Sequence, residues 1–219
     1  MGLYKSRQIF KNDSFQYVIE VDFQLNSFYE YIELTEKIIE NGIKEKIEAY
    51  DKLLKEGSVE EIEHQHDFVD HEIKIYTRQL YYHSLFISLY SFLERKMYQL
   101  CRIPESQQNI KTKDISGEGV IKYRTYLQKV LMLDFTKLNE EWENIKKYNK
   151  LRNRLVHSPT NMIAKGNDQK LISTFQAIEN LTIYDKGDYI EFEIADKQLL
   201  IKFCKIISSF LKGIYYERA

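Results

Sequence analysis

Two prolines, Pro104 and Pro159, and eight glycines are the only strong breakers in 219 residues, so long stretches of this chain have nothing to stop a helix once it starts. Lys, Glu, Leu and Ile are abundant between those breakers, which favours long helices over a turn-rich β architecture. The expectation is an all-α fold. The length suits one large domain, or a domain with a helical extension, and is enough to bury a substantial core. Charged residues make up 30% of the chain with a formal net charge of −1, so no basic field draws nucleic acid from a distance. Any RNA contact has to be local. Two cysteines, Cys101 and Cys204, stand in apolar helical contexts and cannot make a disulfide framework, which points to a reducing cytoplasm. No secretory signal or membrane-spanning run is read from the sequence. The opening Met1-Gly-Leu-Tyr-Lys-Ser6 meets the myristoylation pattern, but a motif so short is matched often by chance, and no lipid anchor is expected.

Apolar residues recur at helical spacing from Ser14 to Lys55 (Val18, Val21, Leu25, Phe28, Ile32, then Ile39, Ile43, Ile47), with an interruption at Asn41-Gly42. This predicts a helical hairpin or one kinked helix. After Gly57, Ser58 is a candidate N-cap with Glu61 completing a capping box, and a second helix runs unbroken to Ile103-Pro104. Its segment Leu80–Leu93 is apolar on nearly every side, as a central buried helix would be. Glu105–Gly119 reads as a loop, followed by a short amphipathic helix carrying Val120, Tyr123, Leu127, Val130 and Leu131. Gly117-Glu-Gly119 is no phosphate loop, because it lacks both the third glycine of a dinucleotide fingerprint and the Gly-Lys-Ser/Thr of a Walker motif. The next helix spans Asn139–Ser158 and stops because Pro159 disfavours helical geometry in the residue before it. A loop from Thr160 to Asp168 leads to one more helix. Leu181–Tyr184 and Tyr189–Ile194 then flank Asp185–Asp188 as a β-hairpin, and an amphipathic helix closes the chain over Asp196–Tyr216.

On the helix before Pro159, a rotation of about 100° per residue gathers Leu138, Trp142, Ile145, Tyr148, Leu151, Leu155 and Val156 into one broad apolar arc. Arg152 falls inside that arc. A guanidinium aimed at packed surface needs an anionic partner, and Glu94, on a stripe with Ile87, Tyr90, Met97 and Cys101, needs a cation for the same reason. Asn149, Asn153 and His157 follow at intervals of four and share a ridge along the arc's border. His157 sits in the last helical turn, where free carbonyls and the negative dipole end favour its protonated ring. Lys146, Lys147, Lys150 and Arg154 surround these residues with positive charge suited to phosphates.

Arg152, four residues, then His157, with Asn153 directly after the arginine, resembles the R-X4-6-H signature of the HEPN family. The resemblance extends to Leu89-Tyr-Ser-Phe-Leu-Glu-Arg95, to Gly117 through Leu127 and to Trp142 through Pro159, in the family's order, and so covers roughly residues 75 to 216. It implies a HEPN-like helical bundle over residues 58–219 with a helical extension over 1–57, the two forming one compact unit with a small β-hairpin near 181–194. It further implies a homodimer with both Arg-His motifs in one cleft. In catalytic members that cleft cuts RNA without metal or cofactor, which makes Arg152, His157 and Asn153 the catalytic candidates. Glu94 and Asn149 then support them, and Lys146, Lys147, Lys150 and Arg154 bind RNA. The biological setting it implies is a toxin–antitoxin or antiviral system, with RNA as substrate and a minimal nucleotidyltransferase as a candidate antitoxin. The apolar arc of the motif helix, too wide for one neighbouring helix to cover, is a second argument for a dimer.

Other readings of the same residues stay open. Arg152 is also compatible with a buried structural arginine paired with Glu94, and His157 with a helix C-cap on backbone carbonyls. The whole is then a non-catalytic HEPN-like module that binds a nucleotide or a protein. His64, Asp67 and His71, with His66 and Asp70 beside them, share a helical face that suits a divalent metal, though the Glu60–Glu63 run around them reads as ordinary solvated helix. No metal site is expected from them. His83, inside the apolar run, reads as a hydrogen-bonded core histidine, and the tyrosine-rich helices as core and dimer interface rather than base-stacking platforms.

Overall fold

A computed structural model describes the backbone of residues 2–55, 59–158, 160–166 and 168–216, and the side chains from 16 to 215 apart from 50, 53, 54, 56–74, 159 and 167. The described residues form α1 (Gly2–Leu54), α2 (Val59–Glu105), α3 (Gly119–Lys129), α4 (Asn139–His157), β1 (Met162–Ala164), α5 (Gln169–Gln176), β2 (Thr182–Asp185), β3 (Tyr189–Glu193) and α6 (Gln198–Tyr216). Helices dominate, as the scarcity of breakers requires. No helix among the described residues is long and apolar enough to cross a membrane.

Of the two forms expected around Asn41-Gly42, the hairpin is absent: α1 is one helix from Gly2 to Leu54. A lone glycine costs a helix only about 1 kcal/mol relative to alanine, and Val21, Leu25, Ile32, Thr35, Ile39 and Ile43 carry one buried stripe past it. The proposed cap at Ser58 lies outside the described residues.

The chain divides into two compact units, the first of residues 1–28, 87–152 and 202–219, the second of residues 29–86 and 153–201. In the first, the C-terminal half of α2 buries one face, through Leu89, Tyr90, Phe92, Leu93, Met97, Leu100 and Cys101, while Ser91, Arg95, Tyr98, Gln99 and Arg102 are exposed. The apolar face of α4 meets α6 there. Trp142 stacks on Phe210 with centroids 5.8 Å apart, and Tyr148 packs on Phe203 at 4.6 Å. Contact is so close that a Cβ on Gly213 would overlap the Leu138 side chain, so the glycine is what lets α6 approach.

The second unit holds a three-stranded antiparallel sheet in the order β1-β3-β2, with Ile163 opposite Ile190 and Thr182 opposite Glu193. The predicted hairpin is there. Its turn is closed by Asp185, whose Oδ1 accepts from the Gly187 amide at 2.9 Å and from Lys165 Nζ at 2.6 Å, and Gly187 takes φ +83°, which favours glycine. Strand β1 lies in the stretch read as loop, since three residues are too few to show an alternation. Phe175 of α5 meets Phe192 of β3 edge-on at 4.8 Å.

His83 departs from its expected role. Its Nε2 is buried with no hydrogen-bond partner, and burial pulls the ring down to about 4. The unfolded ring takes up its proton near the ordinary 6.5 and the folded ring only near 4, so this stability is complete above the first value and lost as pH falls toward the second. Between about pH 7 and pH 5 the unfolding free energy should therefore fall by about 2 kcal/mol more in the wild type than in His83→Leu. Urea melts giving both proteins the same pH dependence would refute this.

Candidate functional site

Helix α4 carries Glu140 and Glu141 in its first turn and Arg154 and His157 in its last. Trp142, Ile145, Tyr148 and Leu151 are buried at spacings of three, which sets which way the helix faces. The last intrahelical bond runs from the Ser158 amide to the Arg154 carbonyl at 3.0 Å, immediately before Pro159 in the sequence. The buried arc ends at Leu151. Leu155 is half-buried and Val156 is 43% exposed, so the arc read from the sequence is too long by one turn. Of what is buried, Trp142 and Tyr148 pack within the chain on Phe210 and Phe203 of α6.

Arg152 is half-buried, with its guanidinium carbon 5.9 Å from the ring centroid of Tyr90 on α2. Tyr90 is 3% exposed, and its hydroxyl is held well above the ordinary phenol range by burial and then by the Glu94 carboxylate, against the opposing pull of Arg152. The two charges that the sequence pairs are thus both felt at one buried tyrosine. Glu94 is itself half-buried. A Cβ on Gly119 would lie 2.7 Å from Glu94 Oε1, and Gly119 takes φ +53° at the first residue of α3. This explains the glycine better than any phosphate loop does: it leaves room for a carboxylate against the positive end of a helix. Tyr123 of α3 is likewise pushed up, by burial and then by Glu94.

The polar ridge is graded. Asn149 is half-buried, whereas Asn153 and His157 are exposed. Five steps along an α-helix advance it about 7.5 Å and rotate it about 140°, so α4 turns Arg152 inward and His157 to solvent. Among the cations, Arg154 donates from Nη2 to the Met162 carbonyl and ties the end of α4 to β1. Lys146 pairs with Glu143 at 2.6 Å, and Lys147 donates to Asn144 Oδ1 at 3.3 Å. Lys147 and Lys150 have further interactions within the chain. Each of these four cations thus has a partner within the chain.

Residues 17–215 match the family described as Cthe2314-like HEPN. The chain belongs to the HEPN family. Its match begins well before residue 75, inside the stretch read as an extension, so most of α1 belongs to what the family shares. Comparison with curated proteins and with solved structures finds no match. The side chains of His64, His66, Asp67, Asp70 and His71 lie outside the described residues. Among those described, no group of three His, Cys, Asp or Glu is placed to hold a metal ion. Cys101 and Cys204 are buried free thiols, and burial pushes Cys204 up to about 12. Sequence reasoning placed Tyr90 on the Glu94 stripe and set Gly119 aside as no phosphate loop, but gave neither a part in the site. Tyr90 was visible as the residue one helical turn before Glu94, and Gly119 as the only glycine in the resembling segment that opens a helix.

Proposed function

We propose that this HEPN protein is a metal-independent endoribonuclease of a toxin–antitoxin or antiviral system, acting as a homodimer, with Arg152 and His157 as its catalytic residues. The observation that carries this reading is the solvent-exposed His157 at the C-terminal end of α4, on the same helix as an arginine held against Tyr90. RNA brings its own nucleophile. The 2′-oxygen attacks the adjacent phosphorus, its proton passes to a base, the bond from phosphorus to the 5′-oxygen breaks, and an acid protonates that oxygen. The products are a 2′,3′-cyclic phosphate and a 5′-hydroxyl. Histidine suits either proton transfer near neutral pH. The arginine fork suits the crowded phosphoryl oxygens, and Asn153 is placed to orient the phosphate or the ring. One helix turns Arg152 and His157 in different directions, so two His157 rings from paired copies would supply acid and base together. Glu94 holds Arg152 in place in this reading.

Purified protein incubated with single-stranded RNA should leave cyclic phosphate ends at the same rate with and without chelator. Absence of cleavage on any RNA would overturn the proposal. Loss of activity on chelation alone would move the chemistry to His64 and His71.

A further inference from the structure

A cavity of about 380 Å³ opens in the second unit between the N-terminal half of α2 and one face of the sheet. The strand pattern builds that face. Phe192 turns to α5, where it meets Phe175, so its neighbours Glu191 and Glu193 turn the other way, and Tyr184 lies on their side as the register partner of Glu191. From α2 come Tyr76, which is 69% exposed, and Gln79, which is 9% exposed. None of these residues has a part in the cleavage described above.

Two carboxylates face one ammonium in this lining. Lys186 lies 3.6 Å from Glu191 and 5.5 Å from the centroid of the Tyr184 ring, so Glu191 has its counter-charge within the chain. Glu193 has none among the described residues. Its Oε1 accepts from the Tyr184 hydroxyl at 2.6 Å and its Oε2 from Gln79 Nε2 at 3.2 Å. Both donors are neutral, and a carboxylate so bonded keeps lone pairs for further donors. The bond from Gln79 also fixes the amide, because a carboxylate can only accept and the amide nitrogen must face it. The amide oxygen, Oε1, is left buried without a hydrogen-bond partner. A buried acceptor that lacks a donor weakens a fold, and a ligand that supplies the donor removes that cost.

We propose that this cavity is a guanidinium-binding site, in which the planar cation donates to Gln79 Oε1 and to the Glu193 carboxylate while its face lies on the Tyr76 ring. A guanidinium holds its N–H donors in one plane and has no acceptor, so it meets an amide oxygen and a carboxylate together and leaves a face for the ring. An ammonium supplies the charge without the face. A urea group supplies the shape without the charge, and sets an oxygen among acceptors. The cavity's volume lies within the range of small-molecule sites, about 300–1,000 Å³. The group can arrive on a small free compound or as the arginine side chain of a peptide.

NMR titration of the full chain with agmatine and with the N-acetyl amides of arginine, lysine and citrulline tests the site without any reaction. Wild type should bind agmatine or the arginine amide, with the Gln79 and Tyr76 signals moving. Gln79→Met and Glu193→Gln should each weaken binding at least about fivefold, and Tyr76→Ala about threefold. Tyr76 is largely exposed, so Tyr76→Ala keeps the fold and the test stands whatever the other two substitutions do to stability. Binding of agmatine alone identifies a free guanidinium compound as the occupant, binding of the arginine amide alone an arginine side chain, and binding of both the group itself. Failure of both to bind at millimolar concentration, the lysine or citrulline amide binding as well as the arginine amide, or equal affinity in all three variants would each overturn the proposal.

Discussion

His157→Ala is expected to lower the rate of RNA cleavage by about 10²–10⁴-fold, the range that a positioned general acid or base contributes. The side chain is exposed, so its loss should leave stability within about 0.5 kcal/mol of wild type. Loss of rate without loss of fold is what distinguishes a group that moves a proton from one that caps a helix. Arg152→Ala should also abolish cleavage but behave differently in the melt, because removing a half-buried guanidinium strips Glu94 and Tyr90 of their neighbouring cation. Arg152→Lys keeps the charge and discards the fork, so it should restore stability more than activity. Unchanged cleavage in His157→Ala would end the mechanism, and cleavage lost in strict proportion to stability in both variants would make the motif structural.

The helical architecture was legible because the two signals behind it are local: the scarcity of proline and glycine, and apolar residues at a period near 3.6. The ends of α4, the hairpin of β2 and β3 and the span of α6 follow from caps, a turn and one proline within a few residues of each end. Strand β1 was missed since its pairing with β3 is made far along the sequence and its three residues carry no period of their own. Of the candidate site, the helix that carries its residues was legible. Its surroundings were not. That Glu94 lies beside Gly119 and that Arg154 bonds the Met162 carbonyl depend on tertiary placement, which one-dimensional spacing does not encode. Exposure misled in the same way at Val156, whose helical position predicts burial that only a neighbouring element could have provided. The tyrosines read as core and interface divide likewise: Tyr82, Tyr90 and Tyr126 are buried, while Tyr76 and Tyr98 are exposed.

Glu20→Ala should destabilise the protein by about 3 kcal/mol, several times the effect usual for a residue so exposed. The reason is Lys96, which is 1% exposed in the middle of the buried face of α2, on the same side as Phe92 and Leu93. Its ammonium lies 2.6 Å from Glu20 Oε1 on α1, 5.5 Å from the centroid of Tyr17 and 5.8 Å from that of Phe92. The Glu20 side chain remains 49% exposed, so one member of the pair keeps much of its hydration while the other has given up nearly all of its own. Among the described residues, removing the carboxylate leaves the ammonium the two ring faces, and each supplies about 0.5–2 kcal/mol of attraction, short of what desolvation takes away. The lysine would then have to pull out of the core. Lys96→Met removes the charge and keeps an unbranched apolar stem, so it should cost far less than Glu20→Ala, and Glu20→Ala added to it should cost almost nothing more. A double-mutant cycle by urea denaturation reads this directly. A coupling energy below about 0.5 kcal/mol would show that the pair acts as an ordinary surface ion pair, and that Lys96 is tolerated in the core for its stem alone.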